Sequence, residues 1–303
     1  MTDNNPLLCD PDSGVCETPI SEAVNSSEAQ LSEADKPVKI VYFTDPICSS
    51  CWGIEPQLRK LKLEYGKDVE IEYHMGGLLP DWSYNSGGIS KPSDVAHHWD
   101  EVSEHYNMPI DGDVWLEDPL DSSYPPSIAF KAAQLQDKKK AQLFLRKIRE
   151  MVFLEKKNIT KWEHLAAAGT AAGLDVAQLK SDYEGPAKSL FEADLALGRM
   201  LRVRGFPTLF FVDSQNQQHI LYGFKPYEAF EANILKAYPK ASKSSYDTSW
   251  EGLFGTYPTL TTQEFSVLSG KSVLEREGLL RKLVDGGKLT TIATKNGLMW
   301  VKG

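Results

Sequence analysis

Hydrophobic and polar positions change period several times along this chain, and each change marks a different element. Val38-Lys-Ile-Val-Tyr-Phe43 is a nearly unbroken apolar run of strand length. Ile54, Leu58, Leu61 and Tyr65 then recur at helical spacing until Gly66, which predicts a helix over residues 48–65. Val69-Glu-Ile-Glu-Tyr-His74 alternates with period two and closes a β-α-β unit. From Gly76 to about Gly198 no strand pattern is convincing. Helical patterns occupy 93–105, 127–136, 139–155, 162–172, 176–183 and 188–203, so the simplest account is a helical insertion. The sheet resumes with strands over 207–213 and 218–222 joined by the polar turn Ser214-Gln-Asn-Gln, followed by a helix over 227–237. Beyond a Ser/Lys-rich linker at 241–245, helices over 262–269 and 271–285 precede a hairpin of 288–294 with 298–302, turning at Lys295-Asn296-Gly297. Two helices and a hairpin suggest a small winged-helix-like module. Its basic residues exceed its acids only modestly, which favours a protein-contact or structural role over DNA binding.

The formal charge of -9 is concentrated at the start of the chain. Residues 1–36 hold Asp3, Asp10, Asp12, Glu17, Glu22, Glu28, Glu33 and Asp35 against Lys36 alone, in a Ser- and Asn-rich context that reads as a mobile acidic tail. The rest is near neutral, which argues against nucleic acid or an anionic membrane as partner. A secretory signal and an apolar span of membrane length are both lacking, so the expected location is the cytoplasm. The tail carries Cys9 and Cys16 around Asp-Pro-Asp-Ser-Gly, a turn sequence that brings the two together. Three readings stand: unpaired thiols in a floppy segment, a disulfide that exchanges with a second cysteine pair, or a zinc clip.

That second pair is Cys48-Ser-Ser-Cys51, opening the first helix directly after a strand. A C-x-x-C serves redox or zinc chemistry. The strand before it and Pro56 after it, in the spacing C-x-x-C-x-x-x-x-P, favour redox. Cys48 is the expected attacking thiolate: a helix start is exposed, and its unpaired N–H groups and dipole favour the anion. Cys51, one turn in, is the resolving thiol. Arg204-Gly205-Phe206-Pro207 opens an apolar strand with an X-Pro bond that can be cis. Trp52 reads as packing beside the cysteines or as substrate surface, Glu55 as a solvated carboxylate or a proton relay to Cys51. His74, His97 and His98 read as surface or groove residues.

Cys48, Cys51, Pro56 and Pro207 together resemble the DsbA family over residues 37–240, and Asp45-Pro46 is similar to its cytoplasmic, FrnE-like branch. Cys51-Trp52-Gly53-Ile54-Glu55-Pro56 is also similar to the SpxH-type ClpXP adaptors, which are DsbA-like. The resemblance implies an α/β thioredoxin fold with an inserted α-helical domain, plus the winged-helix-like module that the family pattern does not cover. The implied division is a disordered tail at 1–36, a thioredoxin-like domain at 37–77 and 204–240, the insertion at 78–203 and the module at 246–303. It also implies that a cis-Pro207 faces the cysteines and that the Phe206 backbone pairs with an extended substrate. Ser49 and Ser50 stand where strongly oxidising members carry Pro-His, implying a less oxidising couple.

The leading functional expectation is a cytoplasmic thiol-disulfide oxidoreductase acting on protein or peptide thiols and disulfides, with Cys48 and Cys51 catalytic, Trp52, Phe206 and Pro207 at the substrate, and no cofactor or metal. The alternative is a ClpXP-type adaptor with redox- or zinc-sensing cysteines. A glutathione-dependent isomerase of the kappa-class type is a weaker third, because those typically lack a complete C-x-x-C.

Overall fold

A computed structural model describes residues 9–10, 14–17, 36–83 and 90–303. Two short strands, β1 (Cys9–Asp10) and β2 (Val15–Glu17), precede β3 (Val38–Thr44). Helices α1 (Ser49–Gly53) and α2 (Glu55–Tyr65) lead to β4 (Val69–Met75). The chain then leaves the sheet through α3 (Pro92–Tyr106), α4 (Val114–Glu117), α5 (Tyr124–Gln136), α6 (Lys138–Leu154), α7 (Trp162–Ala171), α8 (Val176–Glu184) and α9 (Ala187–Met200). It returns as β5 (Gly205–Phe206), β6 (Thr208–Val212), β7 (Gln218–Tyr222) and α10 (Tyr227–Ala237). The C-terminal region comprises α11 (Trp250–Thr256), β8 (Thr259–Thr261), α12 (Thr262–Ser269), α13 (Val273–Asp285), β9 (Leu289–Thr294) and β10 (Gly297–Lys302).

The central sheet runs β4-β3-β6-β7. β3 pairs parallel with β4 and antiparallel with β6, and all seven of its residues are buried. A strand hydrogen-bonded on both edges and covered on both faces has no polar side to present, which is why Val38–Thr44 reads as an apolar run while β4, at the sheet edge, alternates. This is a thioredoxin fold, and the sheet shares one core with the helices between β4 and β5, including Trp99, Phe130, Phe144 and Phe153.

The helix expected over 48–65 is two helices broken at Ile54. Pro56 has no N–H to donate to Trp52, so the α1 ladder stops there and α2 restarts with the proline in its first turn. Besides the short strands β1, β2 and β5, three elements escaped the sequence pattern. α4 is four residues long; α11 is interrupted by Gly252 and Gly255; β8 exists because Leu260 pairs with Trp300 of β10.

The C-terminal region has its own apolar cluster of Leu253, Phe254, Leu260, Phe265, Leu268, Leu280, Leu289 and Trp300. It is nevertheless joined to the rest by buried charge. Glu264 caps α12 through Thr261 and meets Arg59 of α2 and Arg146 of α6. At the other end Lys295 pairs with Asp100 and Asp113.

The acidic start of the chain departs most from expectation. β1 and β2 form an antiparallel hairpin, and β2 pairs with β5, in a segment read as a mobile tail. Val15 and Cys16 are buried by that pairing. Its partner strand lies about 190 residues further on, beyond the reach of any local pattern. The remainder of the expected tail lies outside the described residues.

Candidate functional site

β3 ends at Thr44, and Asp45-Pro46-Ile47 carries the chain to Cys48 at the N-cap of α1. The Cys51 N–H donates to Cys48 Sγ at 3.1 Å, filling the place a serine or aspartate side chain takes at other helix starts. Cys48 and Cys51 form a disulfide with Cα atoms 5.2 Å apart. A donor aimed at Cys48 Sγ from the helix start stabilises a thiolate at that sulfur once the pair is reduced.

Exposure was expected at Cys48, yet both sulfur-bearing residues are 0% exposed. The cover is local and specific. Cys16 Sγ lies 3.4 Å from Cys48 Sγ and 3.5 Å from Ser50 Oγ, whose hydroxyl shares a 2.6 Å hydrogen bond with Tyr106. The Tyr106 ring lies tilted against Phe224, with ring centres 4.9 Å apart, and Phe224 N–H donates to the Gly14 carbonyl at 2.7 Å. Phe206 sits opposite Cys16 in the β2–β5 register, and its bond to Pro207 is cis. Cys48, Cys51, Phe206 and Pro207 therefore gather around the hairpin.

A family model described as thioredoxin matches residues 42–232. The ClpXP adapter protein SpxH of Halalkalibacterium halodurans is 35% identical, over 98% of this chain and 97% of its own. That of Shouchella clausii is 33% identical, over 96% and 95%. The chain belongs to the SpxH family. The cytosolic disulfide reductase DsbM of Pseudomonas aeruginosa shares its fold at 22% identity, with a TM-score of 0.53 over 65% of this chain and 98% of that one.

In this SpxH-family chain several residues singled out in the sequence sit elsewhere than expected. Trp52 is wholly buried rather than at a substrate surface: its Nε1 donates to the Pro109 carbonyl at 3.1 Å, its ring stacks on Phe153, and the Arg146 guanidinium lies 4.3 Å from its centre. Glu55 is neither solvated nor aimed at Cys51. It takes a 2.6 Å bond from the buried Arg149, which also donates to Thr44 Oγ1 and to the Asp45 carbonyl. His97 is exposed, whereas His98 is buried. His74, expected at the surface, is buried between Asp194 and Glu72.

Sequence reasoning missed the residues that shape the cover. Gly76 leaves space for the Phe206 ring, whose Cζ lies 1.7 Å from where a Cβ would stand. Gly53 does the same for Tyr106. Gly14 was visible as a turn glycine, but its seat against Phe224 was not.

Asp45 had entered the reading only as part of a dipeptide. Burial pushes its carboxyl up to about 6, against hydrogen bonds from Leu78 N–H, Ile47 N–H and the Ser123 hydroxyl that favour the anion. An acid raised on folding adds stability that is complete below its unfolded value near 3.8 and is lost as pH rises through 6. The advantage of the wild type over Asp45→Asn in urea unfolding should therefore shrink by about 2.5 kcal/mol between pH 4 and pH 7.5. A difference that stays flat across that window would contradict the assignment.

Proposed function

We propose that this chain is a protein adaptor that brings clients to the ClpXP protease, built on a thioredoxin scaffold whose cysteines sense redox state. The observation that carries this reading is the end-to-end similarity to proteins named ClpXP adapter SpxH, which extends through the C-terminal region that a thioredoxin-type enzyme does not need. Two features support it. Cys48 and Cys51 are fully covered, which suits a regulated pair better than a rapidly cycling one. The C-terminal region is attached through buried ion pairs, so it and the thioredoxin domain present one continuous surface. The division we assign is a thioredoxin-like domain at 37–77 and 204–240, an inserted helical domain at 78–203 and a winged-helix-like module at 246–303. The location we assign is the cytoplasm, where the thiol pool keeps such a pair reducible.

The test is degradation by purified ClpXP of proteins in a cell extract, followed by quantitative mass spectrometry with and without this chain. At least one protein should disappear only when the chain is added, and a Cys48→Ser/Cys51→Ser variant should still support that loss under reducing conditions. An extract whose turnover is the same with and without the chain rejects the adaptor reading.

A second reading is favoured by the Cys48–Cys51 disulfide beside the Phe206-Pro207 edge. Here the chain exchanges disulfides with protein or peptide thiols: Cys48 attacks, Cys51 resolves, and the Phe206 backbone holds the partner. A Cys51→Ser variant should then accumulate mixed disulfides with other proteins while Cys48→Ser accumulates none, read on non-reducing gels. Equal trapping by both variants would remove the assigned roles.

A further inference from the structure

The edge that an extended partner would use is occupied by the chain itself. β2 pairs antiparallel with β5, setting Cys16 opposite Phe206 and Glu17 opposite Gly205. Cys16 is buried, with its sulfur 3.4 Å from that of Cys48, a separation from which two sulfurs can react. Cys16 is also disulfide-bonded, and Cys9 stands across the hairpin from it in the backbone register. The hairpin is held from a second side. Gly14, at φ +67°, offers its carbonyl to Phe224 N–H, and a Cβ on Gly14 would lie 2.5 Å from Phe224 Cβ. Only glycine accepts both the backbone angle and the approach.

We propose that the N-terminal hairpin is an internal substrate of the Cys48–Cys51 pair, and that disulfide exchange runs within one chain through a Cys16–Cys48 mixed disulfide. This rests on the disulfide-exchange reading of the site and supplies its missing partner. With Cys48 and Cys51 reduced by a dithiol, the Cys48 thiolate attacks Cys16. The disulfide that Cys16 carries, which the hairpin register assigns to Cys9, breaks and Cys9 leaves as a thiolate. The Cys51 thiolate then attacks Cys48, closing the Cys48–Cys51 bond and expelling Cys16 as a thiolate. Two electrons move from one cysteine pair to the other, and water exchanges the accompanying protons. The reverse sequence oxidises the hairpin cysteines. A partner reaches the Phe206 edge only by displacing this hairpin.

The experiment uses the full chain carrying Cys9→Ser and Cys51→Ser, which leaves only Cys16 and Cys48. After reduction and removal of the reductant, diamide takes up the two electrons and two protons, and non-reducing peptide mapping follows the product. The expected result is a Cys16–Cys48 peptide in monomeric protein, formed at a rate independent of protein concentration. Adding Gly14→Val should slow it at least tenfold. A linkage found only in dimers, or an unchanged rate in folded Gly14→Val protein, overturns the proposal. A second arm does not depend on Gly14→Val folding. In the Cys51→Ser background, Cys16→Ser should raise alkylation of Cys48 by iodoacetamide at least fivefold, and an unchanged rate counts against the hairpin. Trapping of other proteins without the internal linkage sinks this inference alone. The internal linkage without any trapping sinks exchange with outside partners and leaves the inference standing.

Discussion

Glu264→Ala should lower the stability of the folded chain by about 3–5 kcal/mol, the cost of stranding buried charges that have lost their partner. Glu264 is 0% exposed, and the side chains it meets, Arg59 and Arg146, are 8% and 11% exposed. The carboxylate takes two hydrogen bonds from Arg146, at 2.8 and 3.0 Å, and forms an ion pair with Arg59 at 3.2 Å. It also accepts the Thr261 N–H at 2.7 Å, closing the cap of α12. Burial opposes its ionisation, but the two arginines outweigh burial and hold its carboxyl below the usual range. Its removal leaves two guanidinium groups repelling one another at the seam between α2, α6 and the C-terminal region. The melting temperature should fall by roughly 10 °C, and the linker at 241–245 should become sensitive to protease. The depressed carboxyl adds stability that is present above about pH 4.5 and lost as pH falls, so the difference from wild type should narrow in acid. A melting temperature within 2 °C or so of wild type would show that the apolar contacts alone hold the seam.

Asp194→Ala should be about as damaging, at roughly 3–5 kcal/mol near pH 6, for a related reason. Asp194 on α9 accepts from His74 Nδ1 at 2.7 Å, from Lys131 of α5 at 3.1 Å and from the Met75 N–H at 2.9 Å. Both ring nitrogens of His74 face carboxylates, Asp194 and Glu72, at 2.7 and 3.1 Å, which suits the doubly protonated ring. Burial alone would lower the His74 pKa, but hydrogen bonds to Asp194 and Glu72 outweigh it and the pKa is raised. A raised histidine contributes stability that is complete below 6.5 and lost as pH climbs through its folded value. The destabilisation by Asp194→Ala should thus be larger at pH 6 than at pH 9. An NMR titration should find the His74 pKa lower in the variant than in the wild type. Equal destabilisation at both pH values would mean that His74 is neutral in the fold.

How much of this was legible follows from how local each cause is. Strands β3, β4, β6 and β7 and the longer helices were readable to within a few residues, because burial on one face or two imposes a period that adjacent residues display. Cys48, Cys51 and Pro56 stood out for the same reason: helix-start chemistry involves neighbours within one turn. Of the two readings of Trp52 the structure takes packing over substrate surface, and Glu55 fits neither of its readings, although both lie in the same stretch. What they touch, Pro109, Phe153 and Arg149, comes from the segment between β4 and β5. An acidic, serine-rich start looked unable to order itself, and alone it has little apolar surface to bury. The partner that orders Val15 and Cys16 is β5, which no window around residue 16 contains.

The chain alone determined the order of the main strands and helices, the paired cysteines at a helix start and the proline that follows them, since each depends on short-range periodicity and capping, and the thioredoxin scaffold was legible through the family resemblance that Cys48, Cys51, Pro56 and Pro207 carry. Only the tertiary structure decided that a hairpin from the N-terminus covers Cys48, that Asp45 and His74 are buried ionisable groups, and that Glu264 joins the C-terminal region to the rest. Burial and charge pairing are properties of neighbours in space, and these neighbours are separated by about 30 to 200 residues of chain.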